Sequence, residues 1–278
     1  MTRPFLLDEN LPTNELGEGA YWDATTAAFY WLDIIGQAIF RYDVTAQTQD
    51  SWQLPKQVSF AYPKGGRFVV CLSDGVYDFD PTDGTLNPVA LLDLPSDHRL
   101  NDGKLDPKGR LWVGTINTSA EPSETAALYR LQGDRLQEVE PGFVNANGKA
   151  WSPDGRIMYH ADTARGTIWQ YDYDLETAEI SNRRVFVNNE DWHPDGLCSD
   201  ATGSVYAAVY GGSRIDVFDY RGVLLTSIAL PIPNPTSCSI GGMGNRELFI
   251  TSAREGMTSD QIAQAPLSGQ VLVAHLGG

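Results

Sequence analysis

Residues 99–115 read RLNDGKLDPKGRLWVGT and crowd Arg99, Asn101, Asp102 and Lys104 just ahead of an apolar run. A guanidinium, an amide, a carboxylate and an amine so close together can hold a polar ligand through charge-assisted hydrogen bonds, chemistry that a plain turn does not need. Three other places repeat an acid or amide beside glycine: Glu18 in LGEGAYWD, Asn147 in NANGKAWSPDG and Asp195 in WHPDGLCSD. Each has an ordinary reading. Glu18 can accept backbone N–H groups in an entry turn, and Asn-Gly and Pro-Asp-Gly are common turn sequences. The four histidines, His98, His160, His193 and His275, lack the HxH or HExxH spacing of a histidine zinc site and are not expected as primary ligands. His193, two positions before Asp195, is a candidate for lining the pocket or orienting a water.

The second half of the opening segment, DPKGRLWVGT, reads as a turn feeding a strand, and it recurs. Related runs are DATTAAFYWLDI, PKGGRFVVCLSDG, SPDGRIMYHADT, DATGSVYAAVYGG and GGMGNRELFITSA, six copies in all. Their first apolar strand residues are Phe29, Phe68, Leu111, Ile157, Val205 and Leu248, giving steps of 39, 43, 46, 48 and 43 residues. That period matches a four-stranded propeller blade of about 40–50 residues. A second motif follows each copy: AIFRYDV, GVYDFDP, ALYRLQG, TIWQYDYD, RIDVFDY and GQVLVAHL. Its alternation of apolar and polar residues is that of a strand buried on one face. Asp83-Gly84 and Asp154-Gly155 suit tight hairpins. The prediction is an all-β six-bladed β-propeller with four-stranded blades, one domain over residues 1–278. PFLLDE near the N-terminus is expected to close the ring by joining LFITSA and GQVLVAHL in the last blade.

Composition narrows the partners. With 20 basic against 36 acidic residues, the net charge of −16 opposes binding to nucleic acid or anionic membranes. No stretch approaches the roughly 20 apolar residues of a membrane span. MTRPFLLDEN lacks the apolar region of a signal peptide. Cys71, Cys198 and Cys238 are odd in number and widely spaced, which fits reduced thiols, with Cys198 and Cys238 packed as small apolar residues. A cytoplasmic location is expected, while oligomeric state is not readable.

Several motifs in order carry a resemblance over nearly the whole chain: LGEGAYWD, RLNDGKLDPKGRLWVGT, NGKAWSPDG (147–155), DYDLETAEISNRR (172–184), PDGLCSDATGSVYAA (194–208) and PTSCSIGG (235–242). The sequence resembles the senescence-marker-protein, gluconolactonase and luciferin-regenerating-enzyme family. The resemblance implies a six-bladed propeller with one divalent metal at the channel mouth and hydrolysis of a sugar lactone, a small-molecule substrate. It implies metal ligands at Glu18, Asn147 and Asp195, with Arg99 and Asn101 beside the substrate and Asp195 doubling as the base. Two carboxylates and one amide oxygen form a hard, incomplete ligand set that leaves positions for water or substrate. Ca²⁺ suits that set, with Mg²⁺, Mn²⁺, Zn²⁺ or Fe²⁺ also compatible.

Departures from the family pattern bear on specificity. Ala20 stands where Pro is common, and Lys149 where an apolar residue is usual. Lys149 either reads a substrate carboxylate or points outward along its strand. The loop after GTI reads NTSAEPSE, in which Asn117, Ser119 and Glu121 are candidates for an acidic or polar substrate contact. The competing readings are a calcium-binding or scaffold propeller without catalysis, and an esterase acting on aryl esters or organophosphates.

Overall fold

The structure is a computed structural model that describes residues 4–119, 121 and 123–276. The extreme ends of the expected 1–278 domain, and Ala120 and Pro122 of the NTSAEPSE loop, lie outside the described residues. Six four-stranded antiparallel sheets form a six-bladed β-propeller. The first strands of the blades are β2 (Gly17–Asp23), β6 (Val58–Lys64), β10 (His98–Leu105), β14 (Ala146–Trp151), β18 (Pro194–Ser199) and β22 (Pro235–Gly241). The second strands are β3 (Ala28–Asp33), β7 (Arg67–Leu72), β11 (Leu111–Asn117), β15 (Ile157–Asp162), β19 (Val205–Val209) and β23 (Glu247–Ser252). All six residues that anchor the sequence repeat fall in these second strands. The second motif supplies the third strands, from Ala38–Asp43 in blade one to β24 (Leu272–His275) in blade six.

Blade six closes as expected, because β1 (Phe5–Leu6) pairs with β24 and gives the order β1-β24-β23-β22. The first and last strands of the described residues therefore lie in one sheet, which closes the ring. First strands of neighbouring blades pack together around the channel. Their apolar residues, with those of the second and third strands, fill six main clusters, one between each pair of blades. Between blades six and one, Phe249 stacks 5.1 Å from Trp22 and 4.8 Å from Phe29, ring centre to ring centre. That aromatic layer ties the closing blade to its neighbour.

The ring is thus held by side chains, and the polar residues of the first strands are free for other use. Among the described residues no helix is long and apolar enough to cross a membrane. Among the described residues helix is confined to a 3₁₀ turn at Thr163–Arg165 and the short α1 (Ser259–Gln264). All three cysteines are free and buried, and Cys198 and Cys238 lie in one interblade cluster with sulfurs 3.5 Å apart.

Candidate functional site

Every first strand loses its register with the second strand at an equivalent place. The shifts lie between Glu18 and Tyr21, Val58 and Phe60, Leu100 and Gly103, Ala146 and Lys149, Pro194 and Leu197, and Pro235 and Cys238. A bulge re-aims the side chain it carries, which is why bulges gather beside functional sites. At or inside these six shifts stand Glu18, Ser59, Asn101, Asn147, Asp195 and Thr236, all polar and all buried. Six apolar-lined blades thus turn a ring of polar groups to one end of the channel.

Gly148 and Gly196 serve the approach of neighbouring strands rather than turns, whereas Gly19 adopts a left-handed φ of 63° and donates its N–H to Glu18 Oε2 at 3.1 Å. A β-carbon on Gly148 would sit 2.2 Å from the Asp195 carbonyl oxygen, and one on Gly196 would sit 2.5 Å from Ser237 Oγ. Asn147-Gly148 and Asp195-Gly196 are therefore strand residues packed against the next blade, and the turn reading of these pairs is set aside. Asp33 and Asp162, at the ends of β3 and β15, fix the segments leading into the site strands. Asp33 accepts from the Glu15 and Leu16 N–H groups at 2.8 and 3.1 Å, and Asp162 from those of Val144 and Asn145 at 3.2 and 3.1 Å.

Glu18, Arg99, Asn101, Asn147 and Asp195 line one cavity of about 260 Å³. Four blades bring together residues that lie far apart in sequence. Asn147 Nδ2 donates to Thr163 Oγ1 at 2.9 Å, and Thr163 Oγ1 donates to the Pro194 carbonyl at 2.7 Å. That chain fixes the amide so that its oxygen is free of the contact with Thr163. Arg99 Nη1 donates to Asn101 Oδ1 at 2.8 Å and to the Leu100 carbonyl at 3.0 Å, while Asn101 Nδ2 donates to Asn145 Oδ1 at 2.8 Å. Arg99 and Asn101 are thereby locked to each other.

The electrostatics are unbalanced. Burial raises the Glu18 carboxyl to about 8, and the nearby Asp102 charge adds to the effect. Burial likewise raises Asp195 well above the ordinary aspartate range, reinforced by Glu18 and Asp102. Among the described residues, Asp195 Oδ1 is buried and has no hydrogen-bond partner. Burial lowers the Arg99 guanidinium, while Glu255, Glu18 and Asp195 pull it the other way. Two mutually repelling carboxylates, an orphaned carboxylate oxygen and an amide oxygen fit the needs of a hard divalent cation. Among the described residues no three His, Cys, Asp or Glu side chains group as a metal site, and at the mouth the third donor is an amide.

The other candidate residues lie elsewhere. Lys149 is fully buried, and its Nζ donates to the carbonyls of Asp102 at 2.8 Å and Asn147 at 2.6 Å. Burial lowers it to about 8. It does not line the cavity; it braces the backbone beneath Asn147. His193 is exposed, with Nδ1 3.4 Å from the Thr163 carbonyl, and Glu121 is exposed in the loop that follows β11. Asn117 and Ser119 bond within their own loop. Sequence reasoning missed Asn145, Thr163, Tyr210 and Glu255, which line the same cavity along with the apolar Leu16, Ile34 and Ile116. Asn145 was detectable as the first amide of the N-A-N repeat, and Glu255 by its place in the long connection between β23 and β24; Thr163 and Tyr210 carry no local signal.

Residues 16–254 match the family model described as the SMP-30/Gluconolactonase/LRE-like region. The chain is 32% identical over 262 residues to regucalcin of Danio rerio, covering 92% of this chain and 89% of the relative. It is 32% identical over 267 residues to 6-deoxy-6-sulfogluconolactonase of Pseudomonas putida, covering 94% and 91%. Among solved structures, a calcium-binding protein, regucalcin, of Agrobacterium tumefaciens superposes with a TM-score of 0.91 at 26% identity, covering 98% of this chain and 92% of the other. With the repeat, the closed six-bladed ring and these matches in agreement, the chain belongs to the SMP-30/gluconolactonase/LRE-like family.

Proposed function

We propose that the protein is a sugar lactonase that uses one divalent cation to open a lactone to its sugar acid. The observation that carries this reading is the incomplete donor set at the mouth. Among the described residues Asp195 Oδ1 is buried without a partner, beside Glu18 and Asn147, in a cavity walled by Arg99 and Asn101. A relative bearing the name of a sulfogluconolactonase, and a structural neighbour described as calcium-binding, support the reaction class and the ion. Glu18, Asn147 and Asp195 would hold the cation, which when bound supplies Lewis-acid stabilisation of a developing oxyanion and acidifies water.

The chain's own groups do the rest. Asp195 takes a proton from the attacking water, whose oxygen bonds to the lactone carbonyl carbon. The bond from that carbon to the ring oxygen then breaks, the ring oxygen gains a proton and leaves as a hydroxyl, and the sugar acid remains. Arg99 offers its remaining N–H groups to hydroxyls of the substrate, and its lock to Asn101 keeps the fork in place. Closing these groups inside the ring limits bulk water at the reacting carbon.

The test is acid release from a panel of sugar lactones and aryl esters, with chelator-treated protein and after adding back Ca²⁺, Mg²⁺, Mn²⁺ or Zn²⁺. Metal-dependent turnover of aldonolactones is expected. Calcium binding without hydrolysis of any lactone would leave a binding propeller, and faster turnover of aryl esters would move the activity to another ester class.

A further inference from the structure

A second compartment opens beside the candidate site. Its volume is about 550 Å³, and it shares Tyr210 and Glu255 with the cavity that holds Glu18 and Asp195. Tyr210 Oη donates to the Glu255 carbonyl at 3.3 Å, so the two residues form the common wall. The inner cavity of about 260 Å³ falls just short of the roughly 300–1,000 Å³ typical of small-molecule sites, and the outer compartment extends it well into that range.

The outer wall is built by residues 253–271, which connect β23 to β24 at the channel end that carries the site. Other blades make the same connection with far fewer residues, as between Asp162 and Thr167 in blade four. This connection carries α1, whose start is fixed by reciprocal bonds between Thr258 and Gln261. The opposite wall is the Pro231-Ile232-Pro233-Asn234 segment.

The lining chemistry selects the occupant. Among the described residues the compartment presents no Lys, Arg or His, and its one carboxylate is Glu255. A phosphate, sulfonate or carboxylate therefore has no counter-charge there. Asn234, Gln261 and Gln264 offer amide donors and acceptors, and the prolines and Tyr210 offer apolar faces. Asn234 is 8% exposed, and among the described residues its side-chain amide makes no hydrogen bond to the protein and keeps contact with solvent. A hydroxyl-rich ligand would offer that amide partners in place of water.

We propose that this compartment is a subsite for a second, neutral sugar ring, so that the enzyme hydrolyses an aldonolactone carrying a glycosyl substituent. The proposal rests on the lactonase reading above. The reacting lactone sits in the inner cavity, and the glycosyl group passes Tyr210 and Glu255 into the outer one. The bond broken is still the lactone ester, and the glycosidic bond is untouched.

The experiment compares D-glucono-1,5-lactone with the lactones of four glycosyl-gluconic acids, linked 1→4 or 1→6 in each anomeric form, on the metal-loaded full chain. At least one linkage is expected to exceed gluconolactone in kcat/KM by about tenfold. Gln264→Ala and Ala265→Trp should remove about that factor while leaving gluconolactone within about twofold. If all four are turned over no faster than gluconolactone, or if the variants slow both classes equally, the subsite is overturned. If gluconolactone and every other lactone are inert, the lactonase reading falls by itself. Calorimetric binding of the glycosyl-gluconic acids then decides the subsite: tighter binding than gluconate that Ala265→Trp abolishes supports it, and equal or no binding overturns it.

Discussion

Asp106 and Asp195 are equally hidden, at 4% and 5% exposure, yet the fold treats them in opposite ways. Asp106, near the outer end of β10, accepts from the Lys108 and Arg110 N–H groups at 2.8 and 2.9 Å, from Arg110 Nε at 2.6 Å and from Tyr173 Oη at 2.5 Å. Burial by itself would raise its carboxyl, but the bonds from Tyr173 and Arg110 outweigh that and hold it below the ordinary value. Asp195 has an orphaned oxygen, faces Glu18 and is raised. One carboxylate is completed by the protein; the other is not, and it is the one proposed above to hold the cation. Burial of a charge does not distinguish structure from function; the state of its partners does.

Exchanging the two roles gives the largest expected effects. Asp195→Asn should lower lactone turnover by about 10²–10⁴-fold, the range for loss of a general base, while the chain still folds. Circular dichroism and a thermal melt check the fold, and near-normal turnover in metal-saturated protein would reject the assignment. Asp106→Ala should do the reverse, costing about 3 kcal/mol of stability because Arg110 and Tyr173 lose a charged partner. Denaturant melts read the loss, and turnover per folded molecule should stay near that of the parent.

Arg99→Ala should reduce kcat/KM by roughly one to two decades, as expected for a lost charge-assisted bond, with bound metal unchanged by elemental analysis. Lys149→Leu should slow acidic and neutral lactones alike, since Lys149 Nζ is occupied by two backbone carbonyls and does not line the cavity. A selective penalty on acidic lactones would instead make it a reader of substrate charge.

Stability against pH gives the mildest contrast, with opposite signs. Glu18 is raised in the fold from 4.5 to about 8, so the folded chain keeps a proton that the unfolded chain releases. Across that window chelated protein should lose stability as pH rises. Asp106 is lowered, so its contribution is present above its ordinary value of 3.8 and fades as pH falls through the lower folded value. Thermal melts of chelated protein and of Asp106→Asn separate the two limbs.

The second and third strands were legible because each repeats a half-buried alternation, and all six anchors, from Phe29 to Leu248, lie in the second strands. The outer strands were not, since sequences such as TQDSWQ (Thr48–Gln53) and ISNRRVFVN (Ile180–Asn188) are largely exposed and carry little apolar rhythm. The first strands were legible only as polar residues beside glycine, because a bulge breaks the period of two just where Glu18, Asn147 and Asp195 stand. The orientation of Lys149 was hidden for a different reason. It is set by the Asp102 carbonyl on the neighbouring blade, and no local pattern encodes that contact.

Glu18, Asn147 and Asp195 are proposed to hold one divalent cation at the channel mouth. Calorimetric titration of Ca²⁺ into chelator-stripped protein tests this most directly, with Asp195→Asn and Asp106→Asn run beside the parent chain. The account predicts one ion per chain for the parent and for Asp106→Asn, and no binding for Asp195→Asn. Equal binding by the parent and Asp195→Asn, or no binding by the parent to Ca²⁺ or to Mg²⁺, Mn²⁺ and Zn²⁺ titrated in the same way, would contradict it.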